Sequence, residues 1–165
     1  MPSGVERRTL YPVSAGVILA TDVASKAFAE RVLDSHSVVP VLGDALRFHL
    51  VYNTGAAFGL DFGPWSRWIL LATAALALLL LTQMAMGTPP FDRFRLLALG
   101  LVAGGATGNL VDRIRSPLGV VDFVDLGVGA VRLPTFNVAD LGVSAGAVLL
   151  AVSFWLADSR ARAEA

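Results

Sequence analysis

Apolar residues gather into four long runs separated by polar connections. A helix crossing the hydrocarbon of a bilayer needs roughly 20 mainly apolar residues to cover about 30 Å. Trp65 to Gly87 meets this most fully, because no charge falls between Trp68 and Leu81. Phe94 to Ile114 is polar only toward its C-terminal end, and Phe136 to Leu156 only toward its start. Leu10 to Arg31 is weaker, since Asp22, Lys26 and Glu30 interrupt its second half. Spans are therefore expected at 10–31, 65–87, 94–114 and 136–156. Arg7-Arg8 before an apolar run also fits the start of a cleaved or twin-arginine signal peptide, but no convincing small-x-small cleavage site follows.

With four spans, the long connections Val32–Pro64 and Arg115–Pro134 share one membrane face, and the short segments Met1–Thr9, Thr88–Arg93 and Asp158–Ala165 share the other. Basic residues tie in number between the two faces but are denser in the short segments, which places both termini in the cytoplasm. Ala45 to Tyr52 (ALRFHLVY) alternates β-branched and aromatic residues, a strand signal. Val120–Val124 and Ala130–Leu133 add short strands. The expected fold is an all-α polytopic membrane protein of four transmembrane helices with a small extracytoplasmic β-element, one domain over residues 1–165.

Composition narrows this further. Of 165 residues, 55% are hydrophobic and 16% charged, against about 25% charged in a soluble domain. Thirteen basic and thirteen acidic residues cancel, so nothing suggests nucleic acid. No cysteine is present, and His36 and His49 are the only imidazoles, too few for a typical zinc site. No metal or other cofactor is expected. Lys26 is the only lysine.

An ionisable residue at the centre of a span costs about 2.5–3.5 kcal/mol on insertion scales, so those retained pair, face a cavity or do chemistry. Asn109, Asp112 and Arg113 fall at i, i+3 and i+4 near the end of the third span. Asn137 and Asp140 fall at i and i+3 at the start of the fourth, and Asp22 and Lys26 at i and i+4 in the first. Threading the helices up and down brings these groups to one surface, where the connections carrying Asn53 and Asp122 also emerge. Structural readings compete. Asp22 with Lys26 reads as an ion pair, Asp112 as neutralising Arg113, and Asn137 with Asp140 as a helix cap and capping box. None of these accounts for Asp122 inside Val-Val-Asp-Phe-Val. Glycines at 100, 104 and 108, and at 142 and 146, read as sites of close helix approach. Gly142 to Gly146 matches G-x-S-x-G formally, but inside an apolar helix and far from either histidine. A small transporter relaying protons through buried carboxylates, and an assembly factor whose polar groups only lock helices, are the rival classes.

Asp22-x-x-x-Lys26, Asn53-Thr-Gly-Ala-Ala-Phe-Gly59, Gly104-Gly-Ala-Thr-Gly-Asn-Leu-Val-Asp-Arg113, Val120-Val-Asp-Phe-Val-Asp125 and Phe136-Asn-Val-Ala-Asp140 resemble, in order, the motifs of lipoprotein signal peptidase, the bacterial signal peptidase II. The resemblance covers nearly the whole chain, and its departure at Val143, where the family often has Ile, is conservative. It implies an aspartyl endopeptidase of the inner membrane with four spanning helices, an external β-cradle and the active site on the extracytoplasmic side. The implied partners are membrane lipid and a prolipoprotein whose cysteine already carries diacylglycerol, cleaved just before that cysteine by a monomeric enzyme. The family's catalytic pair falls on Asp122 and Asp140. Substrate-lining or supporting positions fall on Asn53, Gly55, Asn109, Arg113 and Asn137, and structural polar positions on Asp22, Lys26 and Asp112.

The chemistry agrees with this placement. Water attacks a peptide carbonyl when one carboxylate takes its proton and a second, protonated carboxyl supports the carbonyl oxygen. Two like charges held close share one proton near neutral pH. The helix macrodipole at Asp140 makes it the expected anion, leaving Asp122 as the acid.

Overall fold

The computed structural model describes residues 9–55 and 63–163. Each apolar run forms a helix: α1 (Leu10–Val32), α2 (Ser66–Gly87), α3 (Arg93–Arg115) and α4 (Val138–Ala163). At 1.5 Å per residue the shortest, 22 residues, extends about 33 Å. The segments Gly63–Gly87, Arg93–Arg115 and Val138–Ala163 are long and apolar enough to cross a membrane. The remaining helix, α1, has 23 residues but carries the charges of Asp22, Lys26, Glu30 and Arg31. Expected and observed helix limits agree except in α4, which starts after Asn137 and continues to Ala163.

The central helix is α3, which packs against all three others. Small residues make this possible. A Cβ on Gly104 would lie 2.9 Å from Ala15 Cα, so α1 and α3 meet backbone to backbone. At one end Ala85, Leu96 and Leu99 form a buried cluster. By contrast α2 is peripheral and turns Trp68, Leu76, Leu79 and Leu80 outward, an apolar surface suited to lipid rather than water.

A four-stranded antiparallel sheet lies across the other end, in the order β1 (Val39–Leu42), β2 (Leu46–Asn53), β3 (Val120–Val128), β4 (Val131–Arg132). Three of these strands are expected, β2 alone from alternation. The fourth, β1, is not: Val39-Pro-Val-Leu42 has a proline and every residue is exposed, which an edge strand tolerates because that N–H is not needed. Register sets Arg47 opposite Asp125, Val51 opposite Asp122 and Asn53 opposite Val120, with an irregularity between Phe48 and Val51. On its other edge β3 bridges to Phe136, whose carbonyl accepts from Val124 N–H at 2.8 Å and whose N–H donates to the Val124 carbonyl at 3.0 Å. Leu50, Val121 and Phe123 of the sheet pack on Ala29 of α1 in a second buried cluster. This sandwiching fixes β3 beside the start of α4. Ser144 lies inside α4, with no strand-turn-helix around the G-x-S-x-G pattern.

Candidate active site

Strand β3 and the start of α4 present Asp122 and Asp140 to one asparagine. As the residue before α4, Asn137 caps it: its Oδ1 accepts from Asp140 N–H at 2.9 Å, while Asp140 Oδ2 accepts from Asn137 N–H at 3.2 Å. This is the reciprocal capping box expected from the i, i+3 spacing. The Asn137 side-chain amide faces away from the helix and donates to Asp122 Oδ1 at 2.6 Å. Its nitrogen also lies 3.2 Å from the Val121 carbonyl and 3.2 Å from Asn109 Oδ1. The capping box and the hydrogen bond to Asp122 thus share one residue, Asn137.

Asp122 is 2% exposed. Its second oxygen accepts from Asn53 Nδ2 at 3.0 Å. Burial disfavours the anion and pushes this carboxyl up to about 6, the Asn53 hydrogen bond opposes that, and the charge of Asp140 reinforces it. Asp140 Oδ1 accepts from Asn109 Nδ2 at 2.9 Å. Both carboxylates thus sit in a frame of asparagines (53, 109 and 137), which orient without adding charge.

Beneath this frame lies a buried cation. Lys26, 2% exposed, places Nζ 2.7 Å from Asp22 Oδ2, 2.9 Å from Asp112 Oδ2 and 2.9 Å from Asn109 Oδ1. The ammonium donates a hydrogen bond to Asn109 and forms ion pairs with both carboxylates. Asp22 Oδ1 accepts from Ala139 N–H at 2.8 Å, and Asp112 Oδ2 from Val121 N–H at 3.2 Å, so the triad grips the residues preceding Asp140 and Asp122. Gly108 leaves room for Asp22, since a Cβ there would meet that carboxylate. One expectation is corrected here: Asp112 pairs with Lys26, not with its neighbour Arg113. Adjacent helical residues project about 100° apart, and half-buried Arg113 donates instead to Gly55 O at 3.2 Å and to its own helix at Asn109 O.

Asn53 ends β2 and accepts from Gly55 N–H at 3.0 Å, so the chain turns there toward Arg113. Residues 56–59 of the same motif, and Arg7-Arg8, lie outside the described residues. Among the described residues, no three His, Cys, Asp or Glu side chains gather as metal ligands.

Two features escape sequence reasoning. Asp125 is buried and receives Arg47 Nη2 at 2.6 Å and Arg132 Nε at 2.6 Å, fastening β2 and β4 to β3. Burial alone would raise its carboxyl, but hydrogen bonds from Arg132 and Arg47 hold it below the ordinary carboxylate value. The cross-strand pairing Arg47–Asp125 becomes visible only once the register is known. Arg67 of α2 donates to the carbonyls of Arg113 at 2.8 Å and Ile114 at 3.1 Å, covering the C-terminal end of α3.

The profile of the signal peptidase II family matches residues 14–156. A lipoprotein signal peptidase of Hydrogenovibrio crunogenus is 40% identical over 145 residues, 86% of this chain and 83% of that one. One from Rhodococcus jostii is 40% identical over 152 residues, covering 89% of this chain and 73% of its own length. Another, from Aquifex aeolicus, is 36% identical over 151 residues, or 88% and 86% of the two chains. A bacterial membrane enzyme solved in meso at 2.3 Å shares the fold, with a TM-score of 0.83 at 23% identity over 91% of this chain and 90% of that one. By motif, profile and fold, this chain belongs to the signal peptidase II family and is an integral membrane peptidase.

Proposed function

We propose that the protein removes signal peptides from lipoproteins by aspartyl catalysis, with Asp122 and Asp140 as the dyad. The observation that carries this is their common attachment to Asn137, through its side chain for Asp122 and its backbone for Asp140. Asp140, at the N-terminus of α4, is the anion that accepts a proton from the attacking water. Asp122, pushed up to about 6 by burial, is the carboxyl that donates a hydrogen bond to the substrate carbonyl oxygen. As the tetrahedral intermediate collapses, the C–N bond breaks and the proton taken from water passes to the departing amine. Asn53, Asn109 and Asn137 hold the two carboxyls, and Arg113 with Gly55 borders the substrate.

The substrate class is a prolipoprotein whose cysteine bears diacylglycerol, cut just before that cysteine. Two acyl chains keep such a substrate in the bilayer, so a site at the rim of the helices meets it by lateral diffusion. All four helices cross the inner membrane as one monomeric domain, the termini are cytoplasmic, and the sheet with the dyad lies on the extracytoplasmic side. No cofactor enters the reaction. Membership of a peptidase family weighs against the transporter and assembly-factor readings. The test is incubation of purified protein with a diacylglyceryl-modified prolipopeptide: wild type releases the signal peptide, and Asp140→Asn does not. Cleavage by that variant at the normal rate overturns the dyad assignment.

A further inference from the structure

A cavity of about 370 Å³ opens between the start of α2, the end of α3 and the β2–β3 edge, lined among others by Thr54, Ser66, Arg67, Trp68, Arg113 and Ser116. Two guanidiniums therefore face one space. Each has five N–H donors. Arg67 gives two to the carbonyls of Arg113 and Ile114, and Arg113 gives two to those of Asn109 and Gly55, which leaves donors on both. Among the described residues, no carboxylate lies within ion-pair distance of either. The hydroxyls of Ser116 and Thr54 add short polar groups to the wall. A concave space with two cations and hydroxyls is complementary to a phosphate oxyanion.

The depth of the cavity identifies the source of that anion. Ser66 is the first residue of α2, the helix with the longest uncharged run, and Trp65 and Trp68 beside it are both exposed. Exposed tryptophans at the end of an apolar helix mark the headgroup level of a bilayer. Arg67 stacks over Trp68, its guanidinium carbon 5.6 Å from the ring centroid, so the charge is held at that level. We propose that this cavity binds the phosphate of an anionic phospholipid from the surrounding membrane. The cavity shares Arg113 with the border of the proposed substrate site, while Arg67, Trp68 and Ser116 belong to the cavity alone.

The full chain is reconstituted in nanodiscs of phosphatidylcholine, alone or with rising fractions of phosphatidylglycerol, and a parallel set in phosphatidylcholine receives inorganic phosphate. Lipid retained on the protein is counted by native mass spectrometry, and the thermal midpoint is followed. The wild type is expected to retain phosphatidylglycerol in preference to phosphatidylcholine and to gain stability from it, with no response to inorganic phosphate. Ser116→Asp keeps an oxygen that can accept the Leu118 N–H, as Ser116 Oγ does at 3.1 Å, while adding a negative charge to the wall. It is expected to weaken phosphatidylglycerol retention at least about tenfold, as is Arg67→Gln, the size of one lost charge-assisted hydrogen bond. A wild type that retains both lipids equally overturns the site, whether or not the variants fold. So does undiminished selectivity in folded variants. A matching response to inorganic phosphate overturns the lipid as its source.

Discussion

Asn137 hydrogen-bonds Asp122 through its side chain at 2.6 Å and Asp140 through its backbone at 3.2 Å, making one asparagine the hinge between strand β3 and helix α4. Replacing it separates two roles. Asn137→Ala removes a helix cap, worth about 1 kcal/mol, yet also releases Asp122. Cleavage is expected to fall by about 10²-fold or more, far beyond what the stability loss explains. Comparing turnover with thermal unfolding of the same sample checks this, and a fall confined to stability contradicts it.

Isosteric neutralisation of either aspartate tests the chemistry itself. Asp122→Asn and Asp140→Asn are each expected to reduce processing by about 10²–10⁴-fold or more, with helix content and membrane insertion retained. A gel-shift assay on a lipidated precursor, beside circular dichroism, reads both. Near-normal maturation by either variant removes that residue from the dyad.

The elevated carboxyl of Asp122 has a signature in stability. Unfolded, it titrates near 3.8, and folded, near 6. Between these values the folded state holds more protons, so this group's contribution is full below 3.8 and is lost as pH rises through about 6. The slope is at most about 1.4 kcal/mol per pH unit. Asp125, held low by its arginines, acts oppositely and loses its contribution only as pH falls below its ordinary value of 3.8. Thermal midpoints of wild type and Asp122→Asn, measured from pH 4 to 7, are expected to differ by this slope. Parallel curves contradict it.

Lys26→Met leaves Asp22 buried without its cation and Asp112 with only the longer contact to Arg115 at 3.6 Å. Breaking a buried pair by removing one partner costs about 3–5 kcal/mol. Loss of folded protein in detergent is expected, and Lys26→Arg is not expected to restore it, because a planar fork cannot reproduce an ammonium among three acceptors. Chemical denaturation of the three proteins checks this.

Two glycines make opposite predictions. A methyl on Gly108 meets the Asp22 carboxylate, whereas one on Gly16 meets nothing within 4 Å. Gly108→Ala is expected to disrupt the triad and lower both stability and cleavage. Gly16→Ala, within α1, is expected to be neutral or to stabilise by up to about 1 kcal/mol. Matched unfolding curves decide.

How much of this was legible in the sequence follows from the range of each signal. The helices come from long apolar runs, strand β2 from local alternation, and the capping box from a spacing of three. The convergence of Asp22, Lys26, Asn109 and Asp140 follows from threading helices up and down. The partner of Asp112 does not, because angular position around α3 depends on which faces pack, and the glycine faces set that. Strand β1 carries no alternation and is held by pairing with β2 alone. The clasp on Asp125 joins Arg47, 78 positions away, to Arg132, 7 positions away. Only a fixed strand register puts those charges together.

The solitary lysine of this chain is buried between α1 and the C-terminal end of α3. An acylating reagent that modifies amines therefore finds no side-chain target on the intact surface. Labelling at Lys26 becomes a direct clock for the opening of α1 from α3 and α4, obtained without engineering a probe into the enzyme.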